Sequence, residues 1–363
     1  MNFGPKHYVP LVKWHRGEQT AFVNLANSVR KRITPIFEVE ETPIGDYATG
    51  ALRRTHEAQL TNAVEAIESC WGKGLCFVDV RYLEDEAVGH GTGAQHFYSQ
   101  LSSRSLQFVP VVATTTSGSA MAAANANSTL GIALRLSQDD FQPTPTAIAA
   151  VITALEARLG VERGKVDIII DLADVVNNTS AALNSIAWSF VNAIPNINEW
   201  RTVTLLASAF PYTVSSLLSP SSTGYAARTE WIVWRSLYLH HLAGTSGLSR
   251  MPSFGDYGIQ NPTEVDFDPR YMTVSAQIRY TLSTQWYIAR GLSLRGNGGG
   301  QYTAMAAALT ASPDFMGVAH CWGCAQADGC GNGTVAAGSP EKWRSIGTCH
   351  HLSLTADDVT GLP

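Results

Sequence analysis

The sequence has few cysteines, little charge and no excess of positive charge. Six cysteines spread unevenly over 363 residues are too few for a disulfide framework, which indicates a reducing compartment. The formal net charge of −5 provides no general basic surface for a nucleic-acid backbone. Extended nucleic acid is therefore not an expected partner, whereas a local basic pocket could still bind one phosphate or nucleotide.

Long apolar runs are also missing. No stretch approaches the roughly 18 to 20 apolar residues that span a bilayer, and the first residues, MNFGPKHYVP, lack the apolar region of a signal peptide. We therefore expect a cytoplasmic protein without membrane association. With 45% hydrophobic residues, the chain has enough apolar surface to bury a sizeable core.

A repeated pattern of strand and helix runs along most of the chain. Short apolar segments end in polar residues, and each is followed by a segment with helical spacing. The candidate strands lie at 8–14, 33–40, 75–83, 106–114, 130–137, 166–172, 202–209 and, least regular, 251–259. This alternation predicts an α/β fold of the (β/α)8, TIM-barrel-like type. An open doubly wound sheet is the alternative, but the turn after the first strand, KWHRGE, lacks the glycine-rich dinucleotide signal.

The pattern changes after residue 262, which predicts two parts. Residues 1–262 form the (β/α)8-like barrel, and residues 263–363 form an α+β extension over the barrel mouth. The extension contains a hairpin with period-two alternation at 275–290, a glycine-rich loop at 295–301, a helix, and a tail rich in cysteine and tryptophan.

Polar residues at the strand ends would meet at one face of such a barrel, where the active sites of this architecture lie. In the stretch LCFVDVRYL, Asp79 and Arg81 share one side of the strand. The predicted catalytic residues are three carboxylates, which could hold Mg²⁺ or act as acid and base: Glu38, Asp79 and Asp171. The predicted ligand-binding residues are Lys13, Arg81, Arg135, Asp256, Tyr257, Arg279, Arg295, Trp343 and His350. The alternative is a salt-bridged plug that fills the barrel and binds no ligand.

Several spaced blocks occur in order through nearly the whole chain: HYVPLVKWHRGEQTAF, RITPIFEVEE, FVDVR, FGDYGI, IRYTLSTQW and WRSIGTCHH. These blocks resemble those of the "beta protein" family, which is found in bacteria and phages. The resemblance implies a barrel and supplies no reaction, since the family has no settled biochemical activity. One departure is Trp322-Gly323-Cys324, which stands where the family has a Trp-Gly-Asp block, so a role for an acid at that position is in doubt.

A shorter motif offers a second resemblance. His-Arg-Gly at 15–17, followed by Glu38 and Glu40, is similar to the pattern of glycerophosphodiester phosphodiesterases, which are metal-dependent barrels. In that family a His at this point acts on the phosphodiester while carboxylates hold the metal. A solvated turn at the entry of a helix is the alternative interpretation.

The tail carries thiols and imidazoles that could form a zinc site: Cys321, Cys324, Cys330 and Cys349, with His320, His350 and His351. The spacing after the Cys-x2-Cys pair matches no common zinc knuckle, and a tail packed by its aromatic residues is the alternative.

Two functional hypotheses follow. In the first, the barrel binds, and hydrolyses, an anionic phosphorylated small molecule or nucleotide, with lysine and arginine holding the anion as in a phosphoesterase-type hydrolase. In the second, the chain is a non-enzymatic protein-interaction module of a phage–host conflict system, which the occurrence of the resembled family suggests.

Overall fold

The structure, a computed structural model, describes residues 3–263, 268 and 270–363. Its strands in chain order are β1 (Leu11–Lys13), β2 (Ile36–Glu38), β3 (Ile44–Asp46), β4 (Ala51–Leu52), β5 (Cys76–Asp79), β6 (Ala87–Val88), β7 (Gly91–Thr92), β8 (Phe108–Val112), β9 (Ile132–Ser137), β10 (Val166–Asp174), β11 (Thr202–Ser208), β12 (Ser222–Ala227), β13 (Ser253–Asp256), β14 (Ser275–Thr281) and β15 (Gln285–Ser293). Its α-helices are α1 (Arg16–Val23), α2 (Asn27–Arg30), α3 (His56–Cys70), α4 (Gly93–Ser103), α5 (Gly118–Ala126), α6 (Ile148–Leu159), α7 (Ser180–Ala193), α8 (Val214–Leu217), α9 (Thr229–Leu242), α10 (Leu294–Asn297), α11 (Gln301–Thr310), α12 (Trp322–Gly331) and α13 (Pro340–Thr360).

Eight strands form one parallel sheet in the order β1, β2, β5, β8, β9, β10, β11 and β13. The sheet closes where the backbone N–H of Val9 donates to the carbonyl oxygen of Phe254 at 2.9 Å and Tyr8 pairs with Phe254 in parallel. The chain between successive strands carries the helices that cover the outer face. The predicted (β/α)8 barrel is confirmed, including its least regular strand, which is β13.

The barrel interior is an apolar cluster of residues that point inward, among them Leu11, Ile36, Phe77, Ala133 and Ile169. Side chains alternate along a strand, so the residue two positions later points to the same side. In each of these strands that later residue is charged, and the five are Lys13, Glu38, Asp79, Arg135 and Asp171. A charged layer therefore covers the apolar layer at the C-terminal ends of the strands.

The extension is built on a three-stranded antiparallel sheet in the order β12, β15, β14. The predicted hairpin is confirmed as β14 and β15, while β12 comes from the segment between β11 and α9. A strand from the first 262 residues thus belongs to the sheet of the extension, so the two parts share one sheet. The helix α13 packs against both α1 and β14.

A side-chain cap sets the start of α3. The helix begins at His56 because the Thr55 hydroxyl accepts a hydrogen bond from the Ala58 backbone N–H at 3.1 Å and caps the first turn. Arg53 and Arg54 consequently lie in the turn before the helix.

Across the described ranges, no helix has both the length and the apolar character needed to cross a membrane.

Candidate functional site

Arg135 lies at the centre of the charged layer. Its guanidinium donates to Glu38 Oε2 at 2.5 Å, to Asp79 Oδ2 at 2.8 Å and to Asp171 Oδ2 at 2.7 Å. A further guanidinium N–H donates to the Tyr257 hydroxyl at 2.8 Å. One arginine from β9 thus joins carboxylates from β2, β5 and β10, which is possible because the strand ends converge on the barrel axis.

Arg81 closes the same layer from the outer side. Its Nε donates to Asp79 Oδ2 at 3.0 Å, and it lies 3.7 Å from Glu38 Oε2. Burial alone would raise the pKa of the Asp79 carboxyl, but the charges of Arg81 and Arg135 outweigh burial and hold the pKa below its usual value. The Arg81 side chain is 32% exposed, so it is the member of this group that meets solvent.

Tyr257 and Lys13 complete the layer. The Tyr257 hydroxyl lies 2.8 Å from Asp171 Oδ1. Burial raises the pKa of Tyr257 well above the usual value, because its effect is larger than the opposing effect of the Arg135 charge. Lys13 is buried and pairs in register with Glu38, which in turn pairs with Asp79. The three cations and three carboxylates of the layer sum to a formal charge of zero.

The three predicted catalytic carboxylates thus converge, but they converge on a guanidinium. A divalent ion held by Glu38, Asp79 and Asp171 would need the position that Arg135 occupies. Because the guanidinium takes the carboxylate oxygens that would be ligands, this arrangement fits an arginine at its centre better than Mg²⁺. The geometry favours an ion-pair plug for this inner layer.

A cleft of about 710 Å³ opens beside the plug, where β1 and β2 end. Trp14, His15 and Val39, which follow directly on those two strands, line its inner wall. Arginines from three separate segments line the rest, and we refer to them as the arginine cleft: Arg16, Arg53, Arg54 and Arg344. Gln19, Gln59 and Asn62 add amide groups, and Glu341 is the one carboxylate in the lining among the residues that the structure describes.

The charges of the arginine cleft are only partly compensated. Arg344 lies 3.7 Å from the buried carboxylate of Glu18. In the described part of the chain, Arg16, Arg53 and Arg54 make no ion pair. Among the described residues, the lining of the cleft therefore carries more positive than negative charge.

A smaller cavity of about 330 Å³ lies on the other side of Arg344. Two of the predicted ligand-binding residues, Arg279 and Trp343, line it together with Arg290 and Tyr302. Burial, and then the charge of Arg344, lower the pKa of Arg279 to about 10, so this guanidinium remains charged at neutral pH. Two residues of α13, Pro340 and Arg344, thus line both cavities.

The remaining predicted ligand-binding residues lie elsewhere. Asp256 follows the alternation of β13 to the side opposite Tyr257, where its Oδ2 lies 2.9 Å from His351 Nε2. His350 belongs to a group of thiols and imidazoles near α12. Arg295 lies in α10 and lines neither cavity.

Sequence reasoning missed the arginines of the cleft. Arg16 and the Arg53-Arg54 pair lie in loops or at helix starts, and Arg344 is nearly 300 residues further along the chain. The only local signal was the arginine doublet just before the Thr55 cap. Nothing in the sequence showed that α13 packs against α1. There the Arg344 side chain lies over Gly17, so that a Cβ added at Gly17 would be 3.0 Å from it.

Comparisons with known proteins identify a family and no activity. No curated protein matches the chain. A solved structure of tryptophan synthase from M. tuberculosis, in the open form with BRD0059 bound, is 12% identical and covers 58% of this chain and 86% of its own. Its TM-score of 0.26 carries no argument about fold or function. The sequence model of the Beta protein family matches residues 8–357, and the chain therefore belongs to the Beta protein family.

Proposed function

We propose that the chain binds a phosphorylated small molecule or nucleotide in the arginine cleft. The observation that carries this proposal is the set of guanidiniums facing one cleft, three of them without an ion pair in the described residues and with a single carboxylate beside them. Arginine presents paired N–H donors that match phosphate oxygens. An anion would therefore supply negative charge that the described residues do not place there.

The size and position of the cleft suit such a ligand. Its volume of about 710 Å³ falls in the range of small-molecule sites. It opens at the C-terminal ends of β1 and β2, the face where ligands of barrel proteins bind. The ring of Trp14 and the amides of Gln19 and Gln59 offer apolar and polar contacts for the remainder of the molecule.

Binding is the function that this geometry supports, and hydrolysis is a further step. A hydrolytic role for Glu38, Asp79 and Asp171 with Mg²⁺ stays a prediction, because Arg135 would first have to release their oxygens. The phosphodiesterase role likewise stays a prediction. His15 lies 4.0 Å from Glu40, but Glu38, the other carboxylate of the pattern, is bound by Arg135.

Thermal-shift and calorimetric titration with inorganic phosphate, a sugar phosphate and nucleoside mono- and triphosphates would test the proposal. A ligand that binds the native state raises Tm, by an amount that follows its concentration relative to Kd. We expect at least one probe to bind, and the double substitution Arg53→Ala/Arg54→Ala to weaken it by about tenfold or more, since each charged hydrogen bond contributes roughly 1.5–3 kcal/mol.

Arg104→Ala is the matched control, because Arg104 lies outside the cleft and pairs with Glu65 and Glu68 on α3. It should leave affinity unchanged. The proposal is wrong if no phosphorylated probe binds, or if the double variant binds as tightly as the unaltered chain. Absence of binding would favour the alternative hypothesis of a non-enzymatic interaction module with a protein partner.

A further inference from the structure

A second site lies away from both cavities, where the start of α12 meets the middle of α13 and the end of β14. Cys321 Sγ lies 3.5 Å from Cys324 Sγ. The Nδ1 atom of His350 lies 3.8 Å from the first of these sulfurs and 3.3 Å from the second. All six cysteines are free thiols.

These separations fit the edges of a metal tetrahedron. Zinc bonds of about 2.3 Å to sulfur and 2.0–2.1 Å to nitrogen place tetrahedral donors roughly 3.5–3.8 Å apart. The observed spacings of 3.3–3.8 Å lie close to that range. The three donors therefore need only small adjustments to coordinate one ion.

The orientation of His350 leaves its Nδ1 available as a ligand. Its Nε2–H donates to the backbone carbonyl of Thr281 at 2.7 Å, which fixes the tautomer and leaves the Nδ1 lone pair facing the thiols. The Tyr280 ring stacks on the imidazole with centroids 3.8 Å apart. The imidazole is thus held on both its edge and its face.

The sulfurs are held by neighbouring donors as well. The Cys324 backbone N–H donates to Cys321 Sγ at 3.4 Å. The Tyr280 hydroxyl lies 3.4 Å from Cys324 Sγ and accepts from the Met316 backbone N–H at 3.0 Å, so its own proton is available to a Cys324 thiolate. Such N–H and O–H donors to sulfur are the outer contacts that orient thiolate ligands in metal sites.

His320 is the candidate for the fourth donor. Its Nε2 is buried and has no hydrogen-bond partner in the part of the chain that the structure describes. A buried polar atom without a partner costs free energy, which a bond to a metal would remove. The ligand atoms of His320, Cys321 and His350 lie within 4.8 Å of one another.

We propose that Cys321, Cys324, His350 and His320 bind one structural Zn²⁺ ion. Two thiolates and two imidazoles are a common structural zinc set, and four protein ligands leave no open position for catalysis. The ion would join α12, α13 and the preceding loop next to the end of β14. This inference is independent of the anion-binding proposal, because none of the four residues lines either cavity.

The first test is the metal content of the full chain, purified without a histidine tag and without added chelator, by elemental analysis. We expect about one zinc per chain. The double substitution Cys321→Ser/Cys324→Ser should remove it, whereas Cys330→Ser should retain it. Cys330 is the matched control, because it is also a buried thiol of α12 but donates to the Ala336 carbonyl at 3.2 Å.

A second measurement covers the case in which the double variant does not fold. Co²⁺ added to the chelator-treated, unaltered chain should give the visible spectrum of a tetrahedral ion with two thiolate ligands, and zinc should displace it. His320→Ala should weaken Co²⁺ binding by about tenfold or more; an unchanged affinity would remove His320 from the ligand set.

Three results would overturn the site itself. They are an unaltered chain that contains no zinc and gives no tetrahedral Co²⁺ spectrum, a zinc content that survives the double substitution, and an intact mass showing a Cys321–Cys324 disulfide in protein purified under reducing conditions.

Discussion

At the residue scale, Arg135 holds the charged layer of the barrel together because it is the shared partner of three buried carboxylates. We expect Arg135→Met to lower the free energy of unfolding by about 3–5 kcal/mol, since it leaves buried charges without a partner. Urea titration followed by circular dichroism measures this change. All three carboxylates are nearly inaccessible to solvent, so water cannot replace the guanidinium.

Arg81→Met is the comparison for that experiment. Arg81 contacts the same Asp79, but its side chain is 32% exposed, so water can occupy the place of the guanidinium after the substitution. Its loss should cost clearly less than that of Arg135. Equal losses for the two variants would show that Arg135 is not the centre of the layer.

Glu230 is a buried carboxyl whose charge opposes folding. Burial raises the pKa of Glu230 to about 8. The positive charge of Arg228 opposes this shift, and the negative charge of Asp256 adds to it. In the unfolded chain the pKa is about 4.3. Because the folded state binds the proton more tightly, this group removes stability progressively as pH rises from about 4.3 to about 8, and the full cost is present above that window.

Glu230→Gln should therefore stabilise the protein more at pH 9 than at pH 5. Glutamine imitates the protonated carboxyl and can still accept the backbone N–H of Ala209, which Glu230 Oε2 accepts at 3.1 Å. Urea unfolding of both proteins at the two pH values measures the difference. A gain that is constant with pH would contradict the raised pKa.

The residues of the charged layer could be predicted from the sequence, but their partners could not. Period-two alternation places Glu38, Asp79 and Asp171 on the inner side of their strands, and parallel strands bring their ends to one face. Which cation occupies the middle depends on the reach of side chains across strands that are far apart in the chain. The pattern contains no such information, so Arg135 was predicted to hold a ligand.

At the element scale, α13 lies unusually close to the sheet of the extension. A Cβ added at Gly347 would lie 2.7 Å from the Arg279 carbonyl oxygen and 2.8 Å from Ile259 Cδ1. Alanine normally stabilises a helix relative to glycine by up to about 1 kcal/mol. Here we expect Gly347→Ala to destabilise the protein by about 1–3 kcal/mol, because the methyl group meets backbone that cannot move aside.

Gly118→Ala reverses the sign of that effect. Gly118 begins α5, and an added Cβ there would meet no atom within 4 Å. Its free energy of unfolding should stay unchanged or rise by up to about 1 kcal/mol. If Gly347→Ala behaves in the same way as Gly118→Ala, the close contact between α13 and β14 is wrong.

The elements show the same limit of sequence reasoning. The hairpin β14–β15 could be predicted because alternation and a short turn are local signals. The strand β12 could not, since STGYAA has few large apolar residues and its partner β15 begins nearly 60 residues later. The boundary at residue 262 was placed by a change in local pattern, which does not reveal that a sheet crosses it.

At the scale of the whole molecule, the barrel and the extension are joined at many points. β12 and β15 pair along their length, His351 of α13 lies 2.9 Å from Asp256 of β13, and Arg32 lies 2.7 Å from Asp357. Near the N-terminus, Lys6 Nζ donates to the Leu362 carbonyl oxygen at 2.6 Å. Parts that share a sheet and buried polar contacts should not unfold separately.

We therefore predict that the two parts unfold in a single step. In native-state hydrogen exchange, the slowest amides of β10 in the barrel and of β14 in the extension should report the same free energy of opening within about 1 kcal/mol, because both require global unfolding. Gly347→Ala, whose added methyl group meets the Arg279 backbone of β14 and, from the barrel part, only the end of the Ile259 side chain, should lower both values equally, whereas Gly118→Ala should lower neither. If the extension were a separate unit, the variant would lower the value for β14 and leave that for β10 unchanged. That outcome would restore the boundary at residue 262 as a true division of the molecule.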